Sequence, residues 1–348
     1  MEQKQQTAVS PARLLRRDVP RIRVAVAGLG KMGGYHARAI RQLAAGEAES
    51  YYKAGLAEQV CKLELCGLCD PDVAKREQLS AEFPMFGSWQ ELLDETRPDL
   101  AVIASPTPTH FELTKQSLEA GVHTLVEKPL VTSLDPFRQL AALADRQGCR
   151  LMSGHVERYN PVSIKLRTLL AEENLPVTGY RFQRTQPHDA RIHDDIVTDK
   201  IIHDLDLAQY FFGAVHEFEL LDFKRVGGQV QEAAVRLRHE NGREGTLFVS
   251  WLLPDVWPCR EVRIACANGD SLVGDFSRKQ LLQNGQAVSC SVPHWVKPDN
   301  NQIKDELADF VAYCLIPDPA LPRFEPLLQP DEIERSIQII ETLIRQTA

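Results

Sequence analysis

Val24-Ala25-Val26-Ala27-Gly28-Leu29-Gly30-Lys31-Met32-Gly33 is the stretch that decides the fold. A short apolar run leads into Gly28-x-Gly30-x-x-Gly33, and a helical pattern follows. This order suits a dinucleotide-binding turn. Gly28 permits the tight turn, Gly30 lets the backbone approach a pyrophosphate, and Gly33 lets the helix pack close to the strand. Lys31 and Met32 then open the helix, whose first N–H groups and partial positive charge favour phosphate. A glycine triplet alone is weak evidence, because glycine turns between strand and helix are common. Here strand, turn and helix occur in sequence.

Outward from that turn, strands and helices alternate. Strands are predicted at Ile22–Ala27, Leu63–Cys69, Leu100–Ala104, His123–Glu127 and Arg150–Ser153. Helices are predicted around Met32–Leu43, Val73–Glu82, Trp89–Glu95, Phe111–Ala120 and Leu134–Arg146. Such alternation implies an α/β Rossmann fold, a doubly wound parallel sheet covered on both faces, with ligand at the carboxyl ends of its strands. From about His155 the pattern changes. Val177–Arg184, His216–Phe223, Ala233–His239, Gly245–Trp251 and Glu261–Ala267 read as successive strands of an open, mostly antiparallel sheet in an α+β domain. The resulting division is a loose N-terminal arm (1–20), a dinucleotide-binding domain (21–154), a substrate and oligomerisation domain (155–329) and a C-terminal helix (330–348).

Composition narrows the function. The 348 residues are 43% hydrophobic and 25% charged, as in an ordinary globular protein of about two domains. A net charge of -8 without a basic stripe argues against nucleic acid or an anionic membrane as partner. No apolar run reaches the length of a membrane-spanning helix. Arg13, Arg16, Arg17 and Arg21 make the N-terminus basic, but it lacks the apolar core of a signal peptide. Cys61, Cys66 and Cys69 have one iron–sulfur spacing, yet they lie on a strand pattern that would point them to different faces. The eight cysteines therefore read as free thiols, which suits the cytoplasm.

Four further stretches carry candidate chemistry. Asp70 ends the second predicted strand and is the candidate ligand for the adenosine ribose, favouring NAD over NADP. It follows Gly33 by 37 residues rather than the usual twenty or so, an excess explained by a polar insertion at Gly46–Ala54. A helix-capping role ahead of Pro71 is the alternative. Lys75 and Arg76 read as solvated helix charges. Ser105-Pro106-Thr107-Pro108-Thr109-His110 follows the strand at Leu100, where Ser105, Thr107 and His110 could contact the nicotinamide half of a cofactor or cap a helix. Glu127-Lys128-Pro129 ends another strand and offers a lysine to a substrate oxygen. On a helix, Asp199 and His203 would share a face, with Asp206 close to it, and an exposed helix with ordinary charges is the alternative. A carboxylate that orients a histidine makes a good general base. Hydride transfer needs no metal, and none is assigned to this His-and-Asp group.

Together these motifs resemble the glucose–fructose oxidoreductase / inositol dehydrogenase (Gfo/Idh/MocA) family. The resemblance rests on Gly28–Gly33 with His36, Thr107–His110, Ala120–Pro129 and Asp199–His203. It implies a Rossmann domain, a second domain whose open sheet forms a homodimer or homotetramer interface, and a Lys128–Pro129 bond that is often cis. It also implies a substrate-binding, proton-stabilising Lys128, a general base His203 and an orienting or relaying Asp199. Glu127 would lie among the cofactor contacts.

Gly154-His155-Val156-Glu157-Arg158-Tyr159-Asn160-Pro161 and Ser250–Pro254, with Arg260, Gly269 and Asp275, are similar to the branch that oxidises nucleotide sugars, such as UDP-N-acetylglucosamine 3-dehydrogenases. Arg158, Tyr159 and Asn160 would then face the substrate, unless they are a hinge between domains. An inositol or polyol dehydrogenase is the alternative enzyme. A cofactor sensor without chemistry is the alternative of another class, and intact Lys128, Asp199 and His203 count against it.

Overall fold

A computed structural model describes residues 14–16, 18–46, 60–79, 82–172, 175–189, 194–253, 258–290, 301–315, 328 and 330–348. The insertion from 47 onward and residues 1–13 of the expected arm lie outside the described residues. The chain divides into two compact units, Met1–Gly154 with Ile303–Leu328, and His155–Gln302 with Gln329–Ala348.

The first unit begins with β1 (Ile22–Ala27), α1 (Lys31–Ala44), β2 (Leu63–Cys69), α2 (Val73–Leu79), β3 (Met85–Phe86), α3 (Trp89–Thr96), β4 (Leu100–Ile103), α4 (His110–Glu119), β5 (His123–Glu127), α5 (Leu134–Gln147) and β6 (Leu151–Gly154). Its six strands run parallel in the order β3-β2-β1-β4-β5-β6, the dinucleotide-binding order. β1 and β4 are apolar along almost their whole length because helices cover both faces of a parallel sheet. The two-residue β3 is too short to leave a periodic signal and was not expected from the sequence.

The second unit follows with α6 (Pro161–Glu172), β7 (Val177–Thr185), a π-helical turn (Val197–Ile201), α7 (Ile202–Phe212), β8 (Val215–Val226), β9 (Gln229–His239), β10 (Glu244–Ser250), β11 (Cys259–Cys266), β12 (Ser271–Asp275), β13 (Gln280–Gln283) and β14 (Gln286–Val288). Its eight-stranded sheet has the order β14-β13-β12-β11-β7-β10-β9-β8 and is antiparallel except where β7 meets β10. One side packs on the apolar faces of α6 and α7, with the Tyr180 ring stacked 4.1 Å from Phe212. Burying aromatic area of this size is a large favourable contribution to the core.

The chain then returns to the first unit as α8 (Gln302–Cys314) and ends in the second as α9 (Pro330–Gln346). This corrects the expectation that residues 155–329 form one substrate domain. The Leu15 amide donates to the Cys314 carbonyl, and the Arg150 Nε donates to the Tyr313 carbonyl, so α8 is stitched to the first unit. α9 has one apolar face, and Ile339, Ile340 and Leu343 enter the core of the second unit. No described helix is long and apolar enough to cross a membrane.

Candidate active site

In the first unit, β1 and β4 lie side by side at the point where the strand order reverses, and the crevice opens at their carboxyl ends. The three motif glycines have different reasons to be there. Gly28 has φ +90°, and a Cβ on it would sit 2.6 Å from the Ala104 oxygen and the Ser105 nitrogen. A Cβ on Gly33 would sit 1.7 Å from the Gly28 oxygen. Gly30 meets nothing within 4 Å, and no side chain caps α1 there. Packing of the protein on itself therefore demands Gly28 and Gly33. Gly30 keeps open the space in front of the helix N–H groups, beside the exposed Lys31 and half-buried Met32. That open, uncapped N-terminus fits a pyrophosphate.

Asp70 lies at the end of β2. Its Oδ2 accepts from the Leu29 amide at 2.7 Å and from the Lys75 ammonium at 3.2 Å, and its Oδ1 accepts from the Asp72 amide at 2.9 Å. Burial alone would raise the carboxyl, but these donors outweigh it and hold Asp70 below the usual range. An ionised carboxylate has about four acceptor positions, so one remains for a ribose hydroxyl. Lys75 and Arg76 differ from the sequence reading. Lys75 pairs with Asp70, and Arg76 donates to the Asp70 and Pro71 carbonyls.

The loop after β4 is more internally tied than a set of free cofactor contacts. Ser105 Oγ is 2.6 Å from Thr109 Oγ1, while Thr107 opens a short 3-10 turn. His110 is buried. Its Nδ1 is 2.9 Å from the Pro129 carbonyl and its Nε2 is 2.8 Å from the Ser105 carbonyl. In place of a cofactor contact, His110 joins the loops that follow β4 and β5. Glu127 is likewise interior, with Oε1 2.8 Å from His36 Nε2. Burial would raise Glu127, but His36 above all, with Lys128 and His110, brings it below the usual range. His36, Glu127 and Glu306 of α8 form a buried group whose ligand-type atoms lie within 4.8 Å of one another. Lys128 follows, half-buried and cis to Pro129, as the resemblance implies.

In the second unit, the segment 199–206 sorts its charges. Asp199 stands in the π-helical turn, with Lys200 Nζ 3.0 Å from its Oδ2. The wider turn offsets residues four apart from the alignment that an α-helix would give Asp199 and His203. Every residue of α7 is buried except His203, which is half-buried. Asp204 accepts from Arg184 Nε and Nη2 at 2.9 and 2.7 Å. Burial pushes Asp204 up in spite of Arg184. Asp206, expected beside His203, instead takes Arg158 Nε at 2.9 Å and lies 3.5 Å from His155 Nδ1. Burial opposes its ionisation, but Arg158 and His155 hold it well below the usual range.

The expected substrate contacts Arg158, Tyr159 and Asn160 are interior, 1%, 1% and 2% exposed. Arg158 is shared between Asp206 and Glu332 of α9. Asn160 donates to the Phe276 carbonyl at 3.0 Å and accepts from the Val162 amide. These residues anchor the unit from within, because a buried guanidinium needs charged partners more than it needs a ligand. Sequence reading missed Glu157, Arg184, Glu306 and Glu332. The helix Ile202–Phe212 carries apolar residues around its whole circumference, so it must be buried, and its two aspartates need cationic partners. That signal was present.

The family profile described as "Oxidoreductase family, NAD-binding Rossmann fold" matches residues 22–155. The UDP-N-acetylglucosamine 3-dehydrogenase of Acidithiobacillus ferrooxidans is 27% identical over 252 residues, covering 70% of this chain and 71% of that protein. The scyllo-inositol 2-dehydrogenase (NAD(+)) of Bacillus subtilis is 29% identical over 250 residues, covering 67% and 68%. A solved structure of the Acidithiobacillus enzyme superposes with a TM-score of 0.74 at 23% identity, covering 93% of this chain and 97% of that one, which shows a shared fold. Residues 22–155 therefore match the NAD-binding Rossmann domain of the Gfo/Idh/MocA oxidoreductase family, and the chain as a whole is similar to dehydrogenases that act on sugars and inositols.

Proposed function

We propose that this NAD-dependent oxidoreductase oxidises a ring hydroxyl of a sugar or nucleotide sugar to a ketone, with Lys128, Asp199 and His203 handling the hydroxyl. NAD, when bound, supplies the hydride acceptor. Lys128 donates a hydrogen bond from Nζ to the substrate oxygen and stabilises the charge that develops there. His203 removes the hydroxyl proton. Asp199, steadied by Lys200, favours the protonated imidazole that results.

One observation carries the reading. In a helix otherwise wholly buried, His203 alone stays half-open, while Asp204 and Asp206 are committed to arginines. The similarity to a UDP-N-acetylglucosamine 3-dehydrogenase and to a scyllo-inositol 2-dehydrogenase supports a ring alcohol and leaves sugar and polyol as the two substrate classes to compare.

The test is NADH formation with UDP-N-acetylglucosamine, its uronic acid, myo-inositol and free hexoses. Turnover with a ring alcohol is expected, reduced about 10²–10⁴-fold in Lys128→Ala and His203→Ala with NAD affinity retained. Near-wild-type rates in either variant remove this mechanism. Normal NAD binding without turnover on any of the compounds favours the sensor.

A further inference from the structure

Three arginines enter the ion network of the second unit, and they are held differently. Arg158 forks onto Asp206 and Glu332 with contacts of 2.8–3.1 Å. Arg184 grips Asp204 at 2.7 and 2.9 Å. Arg260, the second residue of β11, only touches its neighbours. Its Nη1 is 3.4 Å from Glu157 Oε1 and its Nη2 is 3.5 Å from Gln186 Oε1. Its side chain is 39% exposed, against 2% for Arg184. A guanidinium has five N–H donors in a fixed fork, so most of those on Arg260 are uncommitted among the described residues.

The surroundings favour an incoming anion. Burial and the like charge of Arg184 both disfavour the Arg260 cation, while Glu157, Asp204 and Asp199 support it. Arg184 and Arg260 balance Glu157 and Asp204 in formal charge, and Lys200 offsets Asp199. An added anion would thus meet no excess of negative charge, would fill the open fork and would relieve the arginine pair. Arg260 shares Glu157 Oε1 with Arg184, both at 3.4 Å, and Arg184 holds Asp204 next to His203, so a group bound at Arg260 lies close to the helix that carries His203.

We propose that Arg260 reads an anionic substituent, a carboxylate or a phosphate, on the sugar substrate. This inference rests on the reading of Lys128, Asp199 and His203 as a sugar dehydrogenase site. A planar fork suits either oxyanion through two parallel hydrogen bonds, a geometry that lysine reproduces poorly.

The experiment compares matched probes on the NAD-loaded protein by calorimetry and by NADH formation. The pairs are glucuronate with glucose, glucose 6-phosphate with glucose, and UDP-N-acetylglucosaminuronate with UDP-N-acetylglucosamine. At least one member with the added carboxylate or phosphate should bind about tenfold or more tightly than its partner without it, a difference of about 1.4 kcal/mol. The carboxylate and phosphate arms separate the two sources of charge. Arg260→Gln should erase the preference for the member with the added anion, and Arg260→Lys should keep part of it. A merely structural Arg260 would weaken both members alike and leave the ratio unchanged, which overturns the proposal. Failure of every member with the added anion to bind better than its partner overturns it too. Undiminished turnover in Lys128→Ala would instead strike the dehydrogenase mechanism, while the calorimetric ratio would still report on Arg260.

Discussion

The turn at Gly28–Gly33 and the segment Asp199–Asp206 both prepare functional positions, by opposite means. The turn works by leaving side chains out. Two glycines let backbone press on backbone, and the third leaves a space in front of the α1 N-terminus. The second segment works by adding charges and then occupying most of them. Arg158 and Arg184 take Asp206 and Asp204, which leaves His203 as the half-open residue of its helix. In the first region function depends on local sterics. In the second it depends on partners brought from elsewhere in the chain.

Steric control of the turn is strictest at Gly33. Alanine there would push its Cβ against the Gly28 carbonyl, and nothing in a backbone atom can give way cheaply. Gly33→Ala should cost more than about 4 kcal/mol of stability, in the range reserved for severe steric conflict. Urea unfolding would measure it, and an unchanged midpoint would show that the turn is not sterically determined.

Asp206→Asn probes the second region. It removes the charge that Asp206 presents to the buried Arg158, where Glu332 is the other carboxylate in contact, and should cost about 3 kcal/mol at neutral pH. The sign of the pH effect follows from the folded carboxyl titrating below its unfolded value, which is about 4. The pair stabilises fully above that value, and its contribution drains away as pH falls towards about 2. The variant should lose this part of the acid slope. Identical acid unfolding curves for both proteins, followed by circular dichroism, would show that the pairing contributes nothing.

Gly30→Ala is the mildest change and sharpens the contrast within the turn. The added methyl meets no protein atom, so stability should shift by less than about 1 kcal/mol. NAD affinity should fall about tenfold or more, because the methyl occupies space that the cofactor approaches. Titration of NAD by fluorescence checks it, and unchanged affinity would mean that the pyrophosphate does not approach Gly30.

Much of the first unit was legible because its signals are local. β1, β2 and β5 have the predicted bounds, and the glycine spacing predicts the turn that follows β1. Glu306 was not legible. It stands 179 residues after Glu127 in a helix that returns from the second unit, and no local pattern announces that return. Arg158, Tyr159 and Asn160 were misplaced for a related reason. Polar residues in a short motif look available until Asp206, 48 residues later, and Glu332, 174 residues later, are folded onto Arg158.

The glycine turn, the alternation of strand and helix, the carboxylate at the end of β2 and the resemblance to one oxidoreductase family could all be read from the chain alone. These follow from backbone sterics and hydrophobic periodicity over a few residues. Only the tertiary structure decided which charges remain available. A charge in the interior must find a partner, and the partners of Asp204, Asp206 and Glu127 come from distant strands and helices. His203 and Arg260 stand out because long-range pairing consumed their neighbours and left these two partly open.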